Sequence, residues 1–199
     1  MSLHRAPPPR RRAARRLQVR LAVVDTLPAY AKALGMDVFN AKLKDVQARA
    51  LADSVAHIRE RAIANLGALA TEFGDQWLRE QILPAVLEGS KQSGPASYLG
   101  RMTSLQACGS LAGVMPASVV SETLVTQIAV PLSRDRVANV RIAAADALAQ
   151  CARKLEKEDP AFIKDQIRPA LVDLSKVCAR PPLRRWTPGG RPPPPSSPY

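Results

Sequence analysis

The sequence predicts an all-α protein in which antiparallel helix pairs repeat along the chain and stack into an α-solenoid. Three observations predict it. An Arg-led segment recurs at Arg20, Arg59, Arg101 and Arg141, at intervals of 39, 42 and 40 residues. The positions at fixed offsets behind each arginine are mostly apolar and helically spaced. Aromatic residues make up only 4% of the chain while Ala, Leu and Val are plentiful, which suits helices packed through small and branched side chains better than a β-sandwich.

The Arg-led helices come first in the argument. Four residues behind the arginine stand Val24, Ile63, Leu105 and Ala145, and seven behind it Leu27, Leu66, Cys108 and Leu148. Eleven behind it, alanine recurs four times (Ala31, Ala70, Ala112, Ala152), which predicts close helix–helix approach. Leu34, Phe73, Met115 and Leu155 follow at fourteen. Steps of four, three, four and three keep one face of an α-helix apolar. Gly35, Gly74 and Pro116 stop the first three helices.

A less regular helix is expected after each Arg-led one, over residues 38–51, 76–87, 121–132 and 161–177. Three of these contain proline (Pro84, Pro131, Pro169), which removes a donor, clashes with the preceding turn and bends or breaks the helix. In the turn between a bent helix and the next Arg-led one, Asp53 lies six residues before Arg59, and Asp135 six before Arg141. Such pairs can bridge neighbouring repeats as a ladder of charge-assisted hydrogen bonds. The other two turns lack the aspartate.

A period near 40 sits at the short end of HEAT and armadillo repeats, about 40–47 residues, and above the 33–34 of ankyrin and TPR. The chain therefore reads as a HEAT-type solenoid of three whole repeats plus two half repeats over residues 17–178. It opens on a second helix (17–34) and closes on a first. Neither end carries the polar capping repeat that covers a terminal apolar face.

Charge divides the chain in the same places. Residues 1–16 hold six arginines and no acid, and residues 180–199 hold four arginines and no acid. What remains is nearly neutral, so the formal charge of +12 belongs to the flanks. These Pro/Arg-rich segments, 1–16 and 179–199, read as disordered flanks. The competing readings are counterion-releasing contacts with nucleic acid and, at Pro192–Pro195, a polyproline II ligand. Cys108, Cys151 and Cys178 are odd in number and far apart, which suits a reducing compartment. No run is apolar enough for a membrane helix, and the N-terminus has no signal-peptide core.

Several stretches go beyond repeat periodicity. They are Val19-Arg-Leu-Ala-Val-Val-Asp-Thr-Leu-Pro28, Ile58-Arg-Glu-Arg-Ala-Ile-Ala-Asn-Leu66, Phe73-Gly-Asp-Gln-Trp77 leading to Ile82-Leu-Pro84, Tyr98-Leu-Gly-Arg-Met-Thr103 and Val137-Ala-Asn-Val-Arg141. In them the chain resembles the C-terminal repeats of the scaffold (A) subunits of protein phosphatase 2A. The resemblance implies a non-catalytic scaffold that holds a Ser/Thr phosphatase catalytic subunit and a regulatory B-type subunit, in cytoplasm and nucleus. It places the catalytic-subunit contacts in the intra-repeat turns, at Leu17, Gln18, Ala56, His57, Tyr98, Arg101, Val137 and Ala138. The chain departs from the family pattern in lacking bulky aromatics near Leu17 and Ala56, in a longer loop over residues 89–97, and in losing the match after Val177.

No enzyme is expected. Gly89-Ser-Lys-Gln-Ser-Gly94 has the glycine spacing of a phosphate loop, but Pro95-Ala96 stand where Lys and Ser/Thr belong. His4 and His57 share no ligand spacing with a cysteine or carboxylate, so neither metal nor cofactor is expected. Trp77 reads as an inter-helix packing residue, and Cys108 and Cys151 as core.

Overall fold

The computed structural model describes residues 9–94 and 97–178, with side-chain environments from 16 to 94 and from 97 to 176. The described residues are all-helical, with no strand among them. The helices are α1 (Pro9–Lys42), α2 (Lys44–Leu51), α3 (Ala56–Gln81), α4 (Leu83–Lys91), α5 (Tyr98–Ala112), α6 (residues 117–132), α7 (Ala138–Leu155) and α8 (residues 160–178). The Arg/Pro-rich tail from 179 and residues 1–8 lie outside the described residues. Helix α1 begins at Pro9 rather than at Leu17, so part of the segment expected to be a disordered flank is helical.

Glycine breaks the long helices where the sequence places the stops. Gly35 at φ 76 and Gly74 at φ 85 interrupt α1 and α3, a left-handed conformation that costs glycine no Cβ clash. The irregular helices meet their prolines in two ways. Pro84 sits in the first turn of α4, after a break at Ile82, where a missing N–H costs nothing. Pro131 and Pro169 instead lie inside continuous helices, each preceded by a π-type stretch, Val120–Ala129 and Ile163–Ile167. The residue before each proline bonds five residues back, Val130 to Val125 and Arg168 to Ile163. The wider turn moves backbone carbonyls off the pyrrolidine ring, so the helix bends without stopping.

The Arg-led helices form one row: α1 packs on α3, α3 on α5, and α5 on α7. Neighbours in the row run parallel, since Asn65 Nδ2 donates to the Val24 carbonyl at 2.8 Å and the side chain of Gln150 lies against Gly109. The irregular helices cover the row from the other side. Hairpin contacts fix that layer: Gln47 Nε2 to the Ala62 carbonyl at 2.7 Å, Ser104 Oγ to Val86 at 2.8 Å, and Cys108 Sγ to Leu124 at 3.4 Å.

One hydrophobic cluster runs from α1 to α8 between the two layers and contains the expected stripe residues Leu27, Leu66, Cys108 and Leu148, all fully buried. Ala31 and Ala112 are 1% exposed, as close helix approach at that offset requires. Trp77 is buried, stacks edgewise with Phe39 and Phe73, and satisfies its ring N–H on Asn40 at 2.8 Å. It is a packing residue, as read from the sequence.

Candidate functional site

The turns before α3, α5 and α7 lie on one edge, because the Arg-led helices are parallel and nearly in register. Two of these turns are built identically. Asp53 Oδ1 accepts the Val55 N–H at 2.9 Å and Asp135 Oδ1 accepts the Val137 N–H at 2.8 Å, short local bonds that shape the chain just before each helix. Six residues on, Arg59 and Arg141 donate through Nη1 to the main-chain carbonyl of that same aspartate, at 2.7 and 2.8 Å.

The carboxylates themselves look backward along the chain. Arg20 Nη1 meets Asp53 Oδ2 at 2.5 Å, and Arg101 Nε meets Asp135 Oδ2 at 2.7 Å with Nη2 on Oδ1 at 3.3 Å. Side-chain pairing therefore joins each aspartate to the preceding Arg-led helix, and not, as the spacing suggested, to the arginine six residues later. The ladder exists, with its rungs offset by one helix. The signal in the sequence is the separation of 33 and 34 residues between each arginine and its acid.

The rungs differ in burial. The Arg101 and Asp135 side chains are 6% and 9% exposed, whereas Arg20 is 46% exposed. Burial pushes the Asp135 carboxyl upward, but hydrogen bonds from Arg101 and Val137 and the charges of Arg101 and Arg136 outweigh it and hold it below the ordinary carboxylate value. A third rung is missing. The turn before α5 has Pro95 where the others have aspartate, and the Nε of Arg59, a residue 7% exposed, is buried without a hydrogen-bond partner.

The contact residues implied by the family resemblance fall on this edge with unequal exposure. Gln18, Ala56, His57 and Ala138 are exposed, and Leu17 and Val137 are half-buried against apolar clusters. Ala56, Tyr98 and Ala138 open their helices, while Leu17 sits within α1, three residues before Arg20 as Ala56 is three before Arg59. Tyr98 packs against the core with part of its surface free. Arg101 is not presented to solvent. Besides Asp135, its Nη1 reaches the Gln92 and Gly94 carbonyls and Ser97 Oγ at 3.0, 3.1 and 3.0 Å, so the residue holds two turns together. An open groove of about 600 Å³ lies between those turns, lined by Lys91, Gln92, Ser93, Arg101, Asp135 and Arg136. Residues 95 and 96 of the long loop lie outside the described residues.

Cys108 and Cys151 are both fully buried and adjoin one another. Their mutual hydrogen bond, then burial, pushes the Cys108 thiol well above its ordinary value, which makes it an inert packing group. Cys178 lies outside the described side chains. His57 faces Glu60 at 3.5 Å on the exposed side of α3. Among the described residues no three His, Cys, Asp or Glu are grouped to hold a metal ion, and no helix is long and apolar enough to cross a membrane.

The fold and edge define an all-helical protein of two packed helix layers with a charge-bridged row of turns. No protein-family model matches the chain, and no curated protein matches it in sequence.

Proposed function

We propose that this chain is a non-catalytic scaffold of HEAT type, three whole repeats and two halves stacked as an α-solenoid, that holds a protein phosphatase 2A catalytic subunit along its edge of intra-repeat turns. The observation that carries this reading is the Arg–Asp ladder, which joins successive Arg-led helices and sets Ala56, Tyr98 and Ala138 at one level of the stack. A rigid row of exposed turns suits docking, because loop side chains held on packed helices form a surface with little ordering cost. The motif-level resemblance supplies the partner, including a regulatory B-type subunit, and the cytoplasmic and nuclear setting.

The test is a titration of the full chain with a phosphatase 2A catalytic subunit at low and at high salt. Saturable binding that survives salt and weakens in Ala56→Glu and Tyr98→Ala supports the scaffold. A folded chain that fails to bind sinks it. Binding of RNA or DNA that collapses steeply with salt would instead move the function to the ten arginines of the two flanks.

A further inference from the structure

Each Arg-led helix offers the next one two polar half-sites, and at the junction of α1 with α3 both are filled. Arg20 takes the Asp53 carboxylate from the turn before α3, and Asp25, five residues after Arg20, takes Arg61 Nε at 2.7 Å. The pair also raises the Arg61 guanidinium above its ordinary value, through its hydrogen bond to Asp25 and then the charge. Between the two half-sites Ile58 and Ala62 of α3 are buried.

Helix α7 repeats this arrangement on the far side of the stack. Arg141 and Asp146 have the same five-residue spacing as Arg20 and Asp25. Arg141 uses only Nη1, on the Asp135 and Arg136 carbonyls at 2.8 and 3.2 Å, and Asp146 has no polar partner among the described residues. Arg101, whose Nη1 is engaged in the same way, spends its remaining edge on a carboxylate. Ile142, 58% exposed, and Ala145 lie between Arg141 and Asp146, and Leu171 and Leu174 of α8 complete an apolar groove of about 350 Å³.

We propose that the α7/α8 face docks an amphipathic helix of another protein, one carrying a carboxylate in the turn before it and an arginine eight residues later, as Asp53 and Arg61 stand in this chain. Charge complementarity selects that occupant over two others. Residues 179–199 contain no acid, so no side-chain carboxylate of that tail can reach Arg141. A second copy seated head to tail would bring α1, whose equivalent positions are Ala14 and Ala22 and whose Arg15 and Arg16 would oppose Arg141. The inference rests on the repeat-stack reading and is independent of phosphatase binding, since Ala56 and Tyr98 do not line this groove.

The probe is a fluorescently labelled peptide of residues 53–73, with a helix-stapled form to remove the cost of folding. It is titrated into the full chain and followed by anisotropy. We expect saturable one-to-one binding, weakened about tenfold or more by Arg141→Ala and by Asp146→Ala, as loss of a charge-assisted pair implies. Arg141→Asp is expected to regain affinity when the peptide carries Asp53→Arg. Failure of the stapled peptide to bind a folded chain overturns the proposal. So does binding that ignores Arg141 and Asp146 but responds to Arg20→Ala and Asp25→Ala, because the peptide would then be exchanging with α3. Sedimentation of the chain alone supplies a further check: a dimer abolished by Arg141→Asp would assign the face to a second copy and overturn the partner reading.

Discussion

Replacing Arg101 by alanine removes the centre of the turn edge, and the structure sets the size of the effect. Five hydrogen bonds leave with the guanidinium: two to Asp135, two to the Gln92 and Gly94 carbonyls, and one to Ser97. The larger consequence is the acid left behind. Asp135 is 9% exposed and keeps only the Val137 N–H, so a buried carboxylate loses its counter-ion. Breaking one partner of a buried pair costs about 3–5 kcal/mol. At roughly 2–4 °C per kcal/mol for a chain of this size, the melting temperature should fall by about 10 °C or more. The same motif supplies its own control. Arg20 is 46% exposed and forms one hydrogen bond to Asp53, so Arg20→Ala should cost about 1 kcal/mol or less, as screened surface pairs do. Urea unfolding followed by far-UV circular dichroism measures both, and Arg101→Lys should recover little because a lysine cannot bridge both carboxylate oxygens. Equal losses at Arg101 and Arg20, or an Arg101→Ala loss under about 1 kcal/mol, would refute the reasoning that burial distinguishes the rungs.

Two further outcomes follow from the ladder. Asp135 has a lowered folded pKa, so its contribution is complete above the unfolded carboxylate value of about 3.9 and is lost as pH falls from there through the folded value. Stability below about pH 4 should therefore drop less steeply in Asp135→Asn than in the parent chain, in urea titrations repeated across pH. At the missing rung, Pro95→Asp places an acid six residues before Arg101, as in the other two turns, and should stabilise the fold by about 1–2 kcal/mol by giving Arg59 Nε a partner. No gain in that variant would mean that the longer loop cannot bring its acid to Arg59.

Helix type, helix order and core face were legible before any coordinates. Periodicity reports which residues share a face, and a face that is apolar in four successive segments has to be buried somewhere. Leu27, Leu66, Cys108 and Leu148 are all buried as that argument requires. The glycine stops were equally legible, since only a residue without Cβ takes φ 76 or 85 at no steric cost. The prolines were half legible. Proline forbids the normal bond, but whether the helix breaks, as before Pro84, or widens into a π-type stretch, as before Pro131 and Pro169, depends on what packs against the bend.

The sequence by itself determined that this chain is all-helical, where its helices turn, and which positions face inward, because these follow from local spacing and local backbone chemistry. Only the tertiary structure decided who pairs with whom. Asp53 and Asp135 pair with arginines 33 and 34 residues earlier rather than six later, a choice made by the parallel stacking of α1 on α3 and of α5 on α7. The same stacking turned Arg101 from an expected surface contact into a buried tie between turns, and left Arg141 and Asp146 as the half-sites that α7 holds open. Exposure and pairing depend on which helices become neighbours, and nothing within one repeat of the sequence carries that information.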